Sequence, residues 1–458
     1  MNPELFIIKN FKPIFQSVFR MFQISFQNSV LYGLVAFMLL FPFSNIFRNI
    51  SWAASDQTHW GGQIKLQGAA SWHDNNFIHP SNGSEPYYDG DIDFRLKNKT
   101  YFSDHIYSTI HYEAVFKGGD TERQPQILKQ VYPDKLQNPT VSTPEDDNRF
   151  FDLTKIIHQK NNYTIYHRLD RMSLTFQPEW GTIRIGRQAV TWGNGLVFNP
   201  MDLFNPFAPT DIERDYKTGG DMIYTQIPWN NSGDFQFLYV PGRNTINQNI
   251  EYSSSSLAGK LHTSLGDTDV DIMVAHHYTD RIIGLGSTGY VMNAAWRMDA
   301  TWTFLDKDAD KNNFLSLIAN MDYSWVWLNR NIYGFVEFYF NGAGDENYAA
   351  AVSDPEIIDR ITRGDIFVFG RRYLAMGTQI EIHPLFHVYL NIINNISDPS
   401  GIIQPRSVWD ITENLQCTLG GNFYYGGSET EFGGFTIKGT DDTYKPADNM
   451  YLWMTYFF

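Results

Sequence analysis

The feature that most constrains this chain is an alternation with period two, repeated from about residue 62 to the last residue. The final ten residues, NMYLWMTYFF (449–458), put Met450, Leu452, Met454, Tyr456 and Phe458 on one face. Asn449, Tyr451, Trp453, Thr455 and Phe457 fall on the other. Period two is the signature of a strand, and ten residues is the length at which a tilted strand crosses a bilayer. AWRMDATWTF (295–304), FLSLIANMDYSW (314–325), LAMGTQIEIH (374–383) and TDVDIMVAHH (268–277) repeat the pattern, each with one apolar and one mixed or polar face.

A soluble sandwich also alternates, so the connections must decide. Short turns are expected near 103–105, 178–181, 228–234, 266–267, 292–294, 328–331, 383–385 and 412–414. Long loops are expected at 74–89, 118–162, 191–218, 242–255, 305–313, 342–370 and 427–448, with shorter ones near 278–280 and 395–401. Turns at one end and loops at the other are the asymmetry of an outer-membrane barrel. The expectation is an all-β, transmembrane, antiparallel up-and-down barrel of 18 strands, or 16 if 281–304 is a single bent strand. An even count puts both barrel termini at the periplasmic end. Charged residues make up 19% of the chain, too many for a polytopic helical membrane protein.

The uncharged run SVLYGLVAFMLLFPF (29–43) follows Lys9, Lys12 and Arg20 and precedes SWAAS (51–55). This order suits a signal peptide over residues 1–54. A short periplasmic segment, 55–61, and a barrel over 62–458 follow. The full chain carries −15; residues 1–54 hold four cations and one anion, so the remainder carries −18. That charge argues against nucleic acid as a partner. The single cysteine, Cys417, excludes an internal disulfide; alternation with Leu415 and Leu419 turns it toward lipid. The histidines, His276 and His277 included, lack metal-ligand spacing, and no cofactor is expected.

A barrel this wide can hold a wet interior, where charge is tolerable. Alternation turns Arg95, Lys97, Glu113, Arg171, Arg184, Arg297, Asp299, Asp322, Glu337 and Glu381 inward as candidate pore-lining residues. The rival reading is that they brace the wall as ion pairs. Residues 181–221, GTIRIGRQAVTWGNGLVFNPMDLFNPFAPTDIERDYKTGGD, begin as a strand and become a loop too apolar to wave in water. The loop, 191–218, is expected to fold into the mouth and narrow it. Trp192, Asn199, Pro200, Asp202, Asn205, Pro206, Phe207, Arg214 and Asp221 are its candidate residues. Arg187 falls on the lipid-facing parity, so it must lie above the membrane or be turned inward by a bulge.

These motifs, GRQ (186–188), WGxG (192–195), NPxDxxNPF (199–207) and RxxKxGxD (214–221), resemble those of porin-like barrels of Gram-negative bacteria, including alginate-export-like channels and related uncharacterised porins. The resemblance implies an outer-membrane channel for passive or substrate-selective diffusion of small hydrophilic solutes. The mixed, net acidic interior argues against a polyanion. The alternative is a structural or partner-binding barrel, a sleeve or receptor that does not conduct alone. An enzyme is not expected, because no Ser-His-Asp set stands out. Expected partners are outer-membrane lipid and lipopolysaccharide, and the barrel-assembly machinery through the strand ending in Phe458.

Overall fold

The computed structural model describes residues 57–72, 86–123, 146–160, 162–204, 206, 208, 216–230, 232–306, 313–436 and 443–458. The signal-peptide expectation, Asn205, Phe207 and Arg214 lie outside them.

The alternating segments become strands in the expected places. In chain order they are β1 (Thr58–Trp72), β2 (Tyr87–Ser103), β3 (Ile106–Gly119), β4 (Thr154–Lys160), β5 (Tyr163–Phe176), β6 (Thr182–Gln188) and β7 (Gly220–Trp229). Next come β8 (Gly233–Val240), β9 (Ser256–Leu265), β10 (Thr268–His277), β11 (Asp280–Val291), β12 (Ala294–Phe304), β13 (Asn313–Trp327) and β14 (Arg330–Asn341). The last are β15 (Arg372–His383), β16 (Phe386–Asn395), β17 (Ser400–Thr412), β18 (Leu415–Tyr425), the short pair β19 (Phe435–Thr436) and β20 (Thr443–Tyr444), and β21 (Asp448–Phe457). Each main strand pairs antiparallel with its neighbours. β21 then pairs with β1 from Gln63↔Phe457 to Trp72↔Asp448, which closes the ring. Leaving out β4, β19 and β20, the ring has 18 strands. Residues 281–304 are two strands joined at Met292, not one bent strand.

The outer face is apolar. Leu174, Ile185, Ile272, Leu285, Met321 and Ile403 are exposed there. Such a band would be untenable on a soluble monomer and suits lipid. Tyr323 stacks on Trp325 near the short-turn end, and Trp302 meets Phe304 near the long-loop end, as in the aromatic girdles of membrane barrels. Cys417 shares the outward parity of its partner Met454 and is well covered.

Two features depart from expectation. The long connection 118–162 contains β4, which pairs with the upper part of β5, beyond the point where β6 has left the wall. The connection 342–371 is a small lobe with two helices, α1 (Tyr348–Ala351) and α2 (Pro355–Arg363). Asp354 caps α2 by accepting from Glu356 N, Pro355 occupies its first turn, and Gly364 ends it with φ at 80°.

Candidate functional site

After Gln188 the chain leaves the wall and returns only at Gly220. Residues 189–204 cross the lumen. Along the ring from β6, β14 and β15 are eight and nine strands away, so in an 18-strand ring β15 is diametrically opposite. Phe198 reaches that far wall. Its ring stacks on Tyr339 of β14 at 4.5 Å and meets Tyr373 of β15 at 5.3 Å. Val190, Trp192, Met201 and Phe204 pack sideways on Met222, Tyr224, Leu238, Ala258, Met273 and Ile282, which β7 to β11 turn inward. This apolar filling lies against one arc of the wall.

The loop's shape is fixed from within. Gly193 has φ at 89°, and a Cβ there would strike the Asn199 side chain. Asn199 Nδ2 donates to Trp192 O at 2.9 Å, and Trp192 Nε1 donates to Gln236 Oε1 at 2.7 Å. Asp202 accepts from Lys217 Nζ at 2.5 Å, and the same ammonium reaches Val190 O. Burial pushes the Asp202 carboxyl up to about 6, only partly offset by Lys217. Burial likewise lowers Lys217, despite Asp202. Pro200 and Pro206 are half-buried.

Two wall carboxylates hold the crossing. Glu337 of β14 accepts from three consecutive amides, Leu196 N at 2.7 Å, Val197 N at 3.1 Å and Phe198 N at 2.7 Å. Asn320 Nδ2 of β13 adds a fourth donor at 3.0 Å. Asp299 of β12 accepts from Asn194 N and Asn194 Nδ2. Both are inward, as parity requires. Both are almost fully buried and engaged with the loop, so neither fronts open water as the pore-lining reading expected.

The other candidates sit on inward faces with partners. Arg95 pairs with Asp170 and Glu113, and Arg168 shares Glu113. Arg171 binds Asp170 and Lys217 O at the loop's return. Lys97 Nζ donates to Tyr216 OH at 2.6 Å, and Arg184 Nε donates to Thr175 Oγ1 at 3.3 Å. Arg297 pairs with Asp322. Glu381 accepts from Asn331 Nδ2 at 3.0 Å near the short-turn rim. Asp170 went unnamed because it occupies a bulge opposite His111/Tyr112, which parity counting cannot see.

Asp221 belongs to β7, not to the loop. No register shift separates Ile185↔Ile223 from Arg187↔Asp221, so Arg187 keeps its outward parity without a bulge. Residues 146–151 cover it. Arg187 bonds Asp221 Oδ1 and Asp146 Oδ2 at 2.8 Å each, and Phe151 O at 2.6 Å. Burial alone would raise Asp146, but Arg187 and Arg149 hold its carboxyl below the usual range.

Ile393 of β16 and Ile402 of β17 pack in the cluster around Phe198, and from Gln404 of β17 through β21 and β1 to β3 the wall turns mostly polar groups inward. Gln404 bonds Asn422, which bonds Asn449. Lys65 lies 4.2 Å over Trp453, and Arg406 4.6 Å over Tyr389.

No protein-family model matches the chain, and no curated protein does. Solved structures do. OccAB2 of Acinetobacter baumannii aligns at a TM-score of 0.51 and 9% identity, over 87% of this chain and 98% of that one. The fold is that of a porin-like barrel. OccK7 (OpdD) of Pseudomonas aeruginosa aligns at 0.48 and 8% identity, over 88% and 99%. OccK2 (OpdF) of Pseudomonas aeruginosa, solved in complex with glucuronate, aligns at 0.48 and 7%, over 87% and 97%.

One constellation had no sequence signal. Ser256 Oγ lies 2.8 Å from His277 Nδ1, and His277 Nε2 lies 3.1 Å from Asp365 Oδ1. The three come from β9, β10 and the 342–371 lobe, far apart in the chain.

Proposed function

We propose that this chain is an outer-membrane channel through which small hydrophilic solutes diffuse, and that residues 189–204 confine their route to one side of the lumen. The carrying observation is the chemical asymmetry of the wall about the loop. Toward β7–β11 the inward side chains near the loop are apolar and packed upon it. From Gln404 of β17 round to β3 they are mostly amides, hydroxyls and cations set on aromatic rings, while Ile393 of β16 and Ile402 of β17 belong to the apolar cluster around Phe198. Water and solutes follow the polar side, because an apolar packed interface has no room for them. In this reading Lys97 lines the route beside the loop, Arg184, Arg297, Asp322 and Glu381 line the lumen toward the short-turn end, and Asp299 and Glu337 hold the loop that bounds the route. Transport is assigned and catalysis is not.

The porin-like fold supports the reading, as does the apolar outer band, which calls for lipid around the barrel and lipopolysaccharide in its outer leaflet. The strand ending in Phe458 is proposed as the part the barrel-assembly machinery engages. Osmotic swelling of liposomes carrying the protein tests the reading. Uncharged sugars should enter at rates that fall with size and reach zero at a sharp limit. No swelling with the smallest sugar would favour a sleeve or receptor.

A further inference from the structure

The lobe 342–371 is tied to the barrel at two places. On one side Phe369 N donates to Glu431 Oε1 at 2.7 Å, and Val368 packs with Phe198. On the other, Asp365 meets His277, Arg360 bonds Asp280 Oδ2 at 2.7 Å, and Arg363 lies 4.7 Å over the Tyr278 ring. His277 joins three parts at once. One nitrogen meets Ser256 in the wall, the other meets Asp365 in the lobe, and the ring edge meets Phe204 of the transverse loop at 5.8 Å.

Ser256, His277 and Asp365 have the connectivity of a hydrolytic triad but not its surroundings. Arg363 forms an ion pair with the other Asp365 oxygen at 3.0 Å, so that carboxylate is shared between the histidine and an arginine. Nearby amides are used as well: Gly242 N donates to Ser255 Oγ and Tyr278 N to Ser255 O.

We propose that His277 is a proton-tightened latch that holds the lobe down over the mouth in mildly acidic surroundings. Neutral His277 gives Asp365 one ordinary hydrogen bond and accepts one from Ser256. Protonated His277 donates from both nitrogens, and its contact with Asp365 becomes an ion pair, a stronger bond. The charges facing it are Asp365, Arg360 and Arg363 from the lobe, Asp280 from its own hairpin, and Arg149 and Asp221 across a small cavity; His276 and Arg281 of that hairpin take the opposite parity. Asp365 also meets Arg363 at 3.0 Å and Arg360 at 3.7 Å; together with Asp280, Glu356 and Asp359 it sets four carboxylates against those two arginines, so a charge on His277 enters net negative surroundings. Histidine is the side chain that ordinarily changes charge near neutral pH, and the test below brackets that range. The functional consequence, a mouth that narrows in acid, rests on the channel reading.

The test is a distance measurement on the full chain in lipid nanodiscs. Nitroxide labels go on Ile358 of α2 and Ile246 of the rim, both exposed, in a Cys417→Ser background. The unlatched fraction should fall roughly tenfold from pH 8 to pH 5, the size of one charge-assisted hydrogen bond. It should not change with pH in His277→Gln or Asp365→Asn. A wild-type distribution that ignores pH overturns the latch, as does a shift that survives in His277→Gln. Conductance of the unlabelled protein is read separately. A silent barrel with a His277-dependent shift removes the channel and keeps the latch; a conducting barrel without the shift does the reverse.

Discussion

Glu337 shows what one residue decides here. Alternation along 332–341 turned it inward from sequence alone. Its role stayed hidden, because the amides it binds lie 139–141 residues away. Glu337→Gln replaces an acceptor with a donor facing three N–H groups. It should cost about 1–3 kcal/mol of loop packing, the usual penalty for leaving buried donors unmet. Hydrogen exchange at residues 194–198 should then quicken roughly tenfold or more while the strand amides stay protected; unchanged exchange would show that Glu337 does not hold the loop. Arg187 is the costlier position. Arg187→Leu leaves Asp221 buried without its cation and Asp146 with Arg149 alone, a loss of about 3–5 kcal/mol. The urea midpoint should drop clearly, and an unmoved midpoint would show that the cluster is not coupled to folding. The two loop carboxylates respond oppositely to pH. Asp146 is held low, so its contribution is complete above about pH 4 and is lost as pH falls through its native value. Exchange protection of 146–153 should therefore hold down to pH 4 and weaken as the pH is taken progressively lower. Asp202 is pushed up to about 6, so the packed loop binds a proton more tightly than the released loop. Its packing should strengthen from pH 6 to pH 4, and weaker protection of residues 200–204 at pH 4 would reverse that sign.

At the scale of elements, the transverse loop was legible in part. Glycines, prolines and aromatics within 192–206 marked a folded segment, and the apolar residues predicted burial. The sequence could not show that the segment spans the whole lumen, since that depends on where β14 and β15 stand in the closed ring. The element reading also missed β4 and the helices of the 342–371 lobe. β4 is only seven residues long, and its burial pattern is exposed almost throughout, so it carries no apolar stripe. α1 and α2 are short and sit between Gly and Asp clusters that read as loop. Phe198 is the element's far anchor. Phe198→Ala should cost about 3–5 kcal/mol locally, seen as disorder of 194–200 in relaxation measurements. Intact order there would mean that the carboxylate grips suffice. At the seam, Phe458 exchanges backbone hydrogen bonds with Gly62 and stacks on Phe94 at 6.3 Å. Deleting it should lower the inserted yield several-fold in cells, and an unaffected yield would count against its proposed role in assembly.

At the scale of the molecule, the alternation and the turn-and-loop asymmetry determine the barrel because they are local and repeat in every strand. The site does not repeat. Asp299, Glu337, Trp192 and Phe198 act together only after the ring closes and brings opposite walls within one loop's reach. The central claim is that this loop narrows a conducting lumen. The most direct measurement is single-channel conductance in a planar bilayer, for the intact protein and for a variant lacking residues 192–204. The account predicts steady, small openings that grow severalfold on deletion. A barrel silent in both forms, or a conductance indifferent to the loop, would contradict it.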